Sequence, residues 1–396
     1  MTDKILIDWS DSGQFDHEFA DVTAYYREYL VRFGMDTQSN RHNFQNVTAQ
    51  GSITLDNKRK FFSPESLLGI EREALNSRHL CRIVSSLDGY GDETLWEGHA
   101  EPVRNERRQG GLVAYLDLVG KLDGPYREEI IVRSGGERDV EWWLDGMFEA
   151  LGAAPRTNTV NMSTGRVIWP DESEPGEPRR GYKPTRHDFI EALSDFAGAF
   201  AFEDHIGCLQ FHDYILMDDL PLTVTIDTDN HKLLSEETRT FRHFGLVRNA
   251  VQVESYEENR RILNERFSFG ETPDKPQRCP AWFTPSSAVD ALTWLAYRSG
   301  DIQFAQLCFL RDQDTAELDI DVESVRPGVL FEANLLDVDN LPISGQFFCL
   351  GAKLVSYFNS PRLLYAYCIA TELSDPAGFV LGRSRLGVGE LGDGTQ

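Results

Sequence analysis

The sequence predicts a mainly β chain with an α insertion, an α+β fold. Three observations carry this. Short runs rich in β-branched and aromatic residues, bounded by turn signals, fill residues 1–130 and return from about residue 200. Between them the apolar spacing changes from strand to helix period. The 24 Phe and 13 Tyr favour strands and large aromatic contacts over a coiled coil.

Within residues 1–130, "KILIDWS", "GSITLDN", "LCRIVSSLD", "ETLWEGHAEPV" and "GLVAYLDLVG" read as strands. Turn signals at Ser12-Gly13, Asp56-Asn57, Asp88-Gly89 and Gly110-Gly111 separate them. Strands this short and this closely spaced predict a barrel or sandwich. "FFSPESLLG" reads as a loop with one helical turn, closed by Gly69, and "RNERRQGG" as a basic loop. In "DVEWWLDGMFEALG", Val140, Trp143, Leu144, Met147, Phe148 and Leu151 share one helical face, and Gly152 and Pro155 stop the helix. Trp142 flanks that face. A second helix is predicted at "TRHDFIEALSDFAGAF", with Thr185 as N-cap, Asp188 in a near capping box, and Phe189, Leu193, Phe196 and Phe200 on the apolar face. Between the helices, residues 170–184 carry Pro, Gly and charge and read as an exposed loop.

Strand patterns then resume. "FAFEDHIGCLQFHDY" reads as a hairpin turning at His205–Gly207. "LTVTID", "VRNAVQVESY", "AELDIDVES", "GVLFEANLLDVD", "GQFFCLGAKLVSYFN" and "PRLLYAYCIATEL" read as strands, with one helix at "SSAVDALTWLAYRSG". The expected division is a β domain over 1–130, a helical insertion over 131–200, a second β domain over 201–375, and a Gly-rich flexible tail over 376–396.

Charge excludes several function classes. The 39 Lys and Arg against 64 Asp and Glu leave a net −25, the wrong sign for gripping duplex DNA or an anionic membrane surface. The six Cys are scattered without a Cys-x-x-Cys pair, which suits buried thiols in a reducing compartment. Residues 1–30 lack the pattern of a secretory signal, and no window approaches 18 apolar residues, so no membrane insertion is expected.

Catalytic and metal chemistry is not indicated. His205, Cys208 and His212 lie within eight residues, but no fourth zinc ligand or second close pair is nearby, and a structural role is expected. "DTDNHK" from Asp227 and "DVDNLP" from Asp337 lack the Gly and Glu that a calcium loop needs, and read as solvated turns. No nucleophile elbow, zincin motif or phosphate-cradling Gly loop occurs. No catalytic residue and no cofactor is therefore assigned. Among 64 acidic residues a glycosidase pair could be hidden, which keeps a glycoside hydrolase as one alternative. A carbohydrate- or receptor-binding module using exposed Trp and Tyr is another.

The ordered set "ILIDWSDSGQFDHEFADVT", "FGMD", "TAQGSITLDNKRKFFSP" and "LWEGHAEPV" resembles the N-terminal pattern of tail hub (baseplate hub) proteins of tailed bacteriophages. The resemblance continues through "ALGAAP", "FIEALSDFAGAFAFEDHIGCLQF" and "VRNAVQVESY", out to about residue 375. "RNERRQGG" has no place in that pattern, and the chain leaves no room for a lysozyme-like or peptidase domain. The resemblance implies a structural virion protein located at the tail tip or baseplate and assembled in the host cytoplasm. It implies two tail-tube-like β-barrel domains per chain, and a homotrimer that joins the sixfold tail tube to the threefold tip and forms part of the DNA channel. The partners it implies are tail tube and distal tail proteins, a tail-tip spike or fibre protein, and the tape measure protein, with DNA passing transiently and without specific binding. Acidic residues are then expected on the inner wall, with Glu317, Asp319 and Asp321 of "ELDIDVE" as the candidates.

Overall fold

The computed structural model describes residues 2–35, 49–64, 69–87, 91–108, 111–129, 138–139, 166–168, 185–197, 199–213, 220–227, 237–242, 250–257, 260–268, 277–278, 282–283, 303–311, 325–336, 342–358, 360 and 362–370. The fold is mainly β. The first strands are β1 (Thr2–Ile7), β2 (Tyr26–Gly34), β3 (Gln50–Asp56), β4 (His79–Leu87), β5 (Gly91–Ala100), β6 (Arg104–Arg108) and β7 (Gly111–Gly120). Short helices α1 (Arg72–Leu75) and α2 (Asp123–Arg127) lie among and after them. β8 (Arg138–Asp139), β9 (Arg166–Ile168) and the helix α3 (Arg186–Ala197) precede the hairpin β10 (Ala199–Glu203) and β11 (Leu209–Asp213). Then come β12 (Leu222–Asp227), β13 (Arg239–Arg242), β14 (Ala250–Glu257), β15 (Arg260–Ser268), β16 (Gln277–Arg278) and β17 (Trp282–Phe283). The last four are β18 (Gln303–Arg311), β19 (Leu330–Leu336), β20 (Pro342–Tyr357) and β21 (Arg362–Ala370).

Thirteen strands form one sheet in the order β1-β4-β5-β7-β3-β2-β20-β21-β18-β13, with β19 attached to β20, β12 attached to β19 and β6 attached to β7. The sheet curls into a half-barrel. β20 joins the early and late strands. Its C-terminal part pairs with β2 from Gly351↔Gly34 to Tyr357↔Glu28. Its N-terminal part pairs with β19 from Pro342↔Leu336 to Phe348↔Leu330. Between the two parts, a register shift at Cys349–Gly351 marks a bulge opposite β21, the device that bends a long strand. Two glycines make the β2–β20 approach possible. A Cβ on Gly351 would sit 2.4 Å from the Met35 carbonyl oxygen, and one on Gly34, at φ 85°, would sit 2.5 Å from that of Leu350.

A contiguous apolar core runs beneath both sets of strands, from Ile5, Trp96 and Leu116 to Phe331, Phe347 and Leu354. Each fully buried large side chain contributes about 1.5–3 kcal/mol. Three smaller sheets stand apart in pairing, β10-β11, β15-β14-β16 and β17-β9-β8.

Three local readings meet the structure directly. The capping box forms: Asp188 N–H donates to Thr185 Oγ1 at 3.2 Å, and Thr185 N–H donates to Asp188 Oδ2 at 3.0 Å. Phe189 is buried on α3 as the period requires, and Ile190 beside it is buried too, but Phe200 lies beyond the helix, buried in β10. A helical period cannot mark its own end when the next strand also opens on an aromatic residue. The basic "RNERRQGG" loop is corrected to strand β6 over Arg104–Arg108, paired antiparallel with β7 from Arg104↔Tyr115 to Arg108↔Gly111. All five of its side chains are exposed, so no apolar alternation announced it. The helix around Leu144, the loop 170–184 and the helix at "SSAVDALTWLAYRSG" lie outside the described residues. No helix among the described residues is long and apolar enough to cross a membrane.

Candidate assembly surface

The motif residues of the N-terminal region converge on one corner. β1 ends at Ile7, and the acidic turn after it is organised by Asp8. That carboxylate is buried and accepts from Gly13 N–H at 2.8 Å, Ser10 Oγ at 3.0 Å and Ser12 N–H at 3.3 Å. The chain then returns along β1, with Ile7 N–H donating to Ala20 and Val22 N–H donating to Ile5, both at 2.9 Å. Trp9 is buried, and its indole N–H donates to the Phe19 carbonyl at 3.0 Å. Its ring packs 6.4 Å from Phe62, while Tyr25 lies 5.7 Å from Phe61 and 5.5 Å from Phe62. The Trp of "IDWS" and the Phe pair of "FFSP" are thus one aromatic cluster.

Asn57 ties the rest of this corner together. Its Oδ1 accepts Phe62 N–H at 3.0 Å, and its amide donates to Asn105 Oδ1 at 2.6 Å and Ser63 Oγ at 3.0 Å. Asn105 Nδ2 in turn donates to the Phe62 carbonyl at 2.9 Å. The "LDN" turn, "FFSP" and the start of β6 are therefore locked to one another.

Two buried carboxylates fasten distant parts of the chain. Asp3 of β1 accepts from Tyr29 of β2 at 2.5 Å and from Arg362 of β21 at 2.8 Å, all three being buried. Burial disfavours charge on Arg362, but Asp3 and the Tyr29 oxygen beside it hold the guanidinium protonated. Glu203 closes β10 and is fully buried. It accepts Ala49 N–H at 2.9 Å and Leu122 N–H at 3.0 Å, binding the β10–β11 hairpin to the ends of β3 and β7. Burial pushes its carboxyl up to about 7, against the pull of these amides, and the Asp204 charge adds to the rise. No motif marks Asp3 or Arg362, and the stretch that holds Glu203 reads only as a hairpin, so reading the sequence missed the role of all three.

His205, Cys208 and His212 serve packing. The hairpin turns at His205–Gly207, as its composition predicts. His205 packs 5.7 Å from Phe33. His212 stacks 5.6 Å from Phe202 and meets Phe348 edge-on at 5.5 Å, and burial pushes its pKa down to about 4. Burial pushes the Cys208 thiol up to about 11, away from the ligating thiolate. No group of three or more His, Cys, Asp or Glu that could hold a metal occurs among the described residues. Glu317, Asp319 and Asp321 lie outside the described residues, as do 228–236 and 337–341 of the two acidic turns.

The outer surface offers the remaining features. Tyr357 and Phe358, where β20 ends, are 49% and 51% exposed, and Leu222 and Leu336 are each 45% exposed. Apolar side chains this open are contact points when a partner covers them.

The described residues thus form one curled mainly β sheet, fastened across its length by the buried carboxylates of Asp3 and Glu203. No protein-family model and no curated protein sequence matches the chain. Solved structures do. The 43 kDa tail protein of prophage MuSo2 from Shewanella oneidensis matches with a TM-score of 0.60 at 10% identity, over 94% of this chain and 99% of that one. The tail protein from Neisseria meningitidis MC58 matches with a TM-score of 0.52 at 12% identity, over 93% and 96%. The chain has the fold of these phage tail proteins.

Proposed function

We propose that this chain is a structural virion protein, the trimeric hub that joins a sixfold tail tube to a threefold tip and forms part of the DNA channel. The observation that supports it most is the end-to-end fold match to the MuSo2 tail protein, which covers 94% of this chain and 99% of that one. A likeness confined to one barrel would fit any β module; one that spans both ends of both chains fits the same building block. The resemblance of the ordered N-terminal motifs to tail hubs points the same way. On this reading the two β regions, 1–130 and 201–375, present tube-like faces, so that three chains offer six to the tube. Glu317, Asp319 and Asp321 are the residues we assign to the channel wall. The partners are the tube, distal tail and tape measure proteins above and a spike or fibre protein below, and the chain carries no enzymatic role.

Mass photometry of the purified chain tests this reading. A mass of three chains is expected, with a ring in negative-stain images. A stable monomer that releases sugar from cell walls would overturn it in favour of a hydrolase.

A further inference from the structure

The correction of "RNERRQGG" from loop to strand brings two basic segments together. Asn57 N–H donates to the Leu112 carbonyl at 3.1 Å, and a Cβ on Gly111 would lie 3.4 Å from Lys58 Cγ. The Lys58-Arg59-Lys60 turn therefore sits against the β6–β7 hairpin, which carries Arg104, Arg107 and Arg108. All six cations are exposed. Three have internal partners: Lys58 pairs with Asp56 at 3.2 Å, Arg104 with Asp117, and Arg108 with Glu106 at 3.3 Å and Glu28 at 3.5 Å. Arg59, Lys60 and Arg107 make no ion pair among the described residues. The patch is thus locally basic on a chain whose net charge is −25.

We propose that this patch is a subunit contact, and that its occupant is the acidic surface of a second copy of this chain. The proposal rests on the trimeric reading above and deepens it. Charge complementarity selects the occupant, because the three cations without an ion pair among the described residues find opposite charge in excess on an identical chain of net −25. The same charges select the geometry. A twofold contact centred on the patch would place it against itself, cation to cation, and is repulsive; a head-to-tail contact places it on a different, acidic face, and such contacts close into rings when the rotation closes. The contact is made by side chains. The outer edge of β6 carries charge at four of its five positions, which blocks continuous strand pairing. Nucleic acid is the weaker fit, since the chain's −25 repels phosphate at a distance where three free cations cannot compensate.

Arg59→Glu/Arg107→Glu reverses two cations that hold no ion pair among the described residues, so the fold is retained and circular dichroism should be unchanged. Mass photometry of wild type and variant across a salt series is the test. The wild type is expected as a trimer that weakens with added salt. The variant is expected to lose association on the order of 100-fold, since like charges then meet across the contact. A variant that forms trimers with the wild-type salt dependence would overturn the patch while leaving the trimeric reading intact. A wild type that is monomeric at every salt concentration would overturn both. Retardation of duplex DNA by wild type and not by the variant would also overturn the proposal, by making the patch a phosphate site.

Discussion

Asp3 and Arg362 stand 359 positions apart in sequence and 2.8 Å apart in the fold. Removing one member of a buried ion pair leaves the other charge uncompensated, at a cost of about 3–5 kcal/mol. Arg362→Leu is therefore expected to lower stability by that amount in chemical denaturation. Asp3→Ala/Arg362→Leu should cost clearly less than the sum of the two single changes, because the stranded charge is gone. Additive losses would show that the two groups do not act as a pair. Sequence offered no sign of this clasp, since an Asp in the first strand and an Arg in the last carry no local pattern. Trp9, Asn57 and the Phe61-Phe62 pair were legible as motif members, and the fold explains why they occur together: they form one cluster.

At the scale of elements, the β10–β11 hairpin is held by Glu203. In the folded chain its carboxyl titrates at about 7, above the ordinary 4.5. The folded state thus binds more protons than the unfolded state between these values, and stability falls as pH rises from about 4.5 to about 7, then levels off. The span corresponds to about 3 kcal/mol. Glu203→Gln is expected to flatten this segment of the stability–pH profile measured by urea unfolding. An unchanged slope would assign it to other groups. The hairpin itself was readable, because a Gly-containing turn between two aromatic alternating runs is a local signal. Its attachment was not, because the amides that Glu203 accepts belong to residues 49 and 122. α3 shows the opposite balance: its capping box is complete within four residues, and the sequence located it to the residue. β6 shows where local reading stops, since an edge strand exposed on every side chain has no apolar period to read.

For the whole molecule, the shared strand β20 has an energetic consequence. It pairs with β2, β19 and β21, and one core underlies both sets of strands. Opening either set breaks pairing in the other, so the two are expected to unfold as one cooperative unit. Native-state hydrogen exchange is expected to give the same free energy of opening for core amides of β3 and of β21. Opening free energies that differ by several kcal/mol would show two independent units. This coupling bears on assembly, because a rigid scaffold presents its outer faces in a fixed relation.

The sequence by itself determined the mainly β class, the switch to helical period, the positions of the β10–β11 turn and the α3 cap, the acidic balance, and the resemblance to tail hubs. These follow from turn chemistry, side-chain period and composition, which act over a few residues or over the whole chain at once. Only the tertiary structure decided that β2 meets β20, that Asp3 and Glu203 are buried among distant partners, and that two basic segments form one exposed patch. Those facts depend on strand pairing and burial between residues separated by tens to hundreds of positions. The free energy of such contacts exists only once the sheet has curled to bring them together.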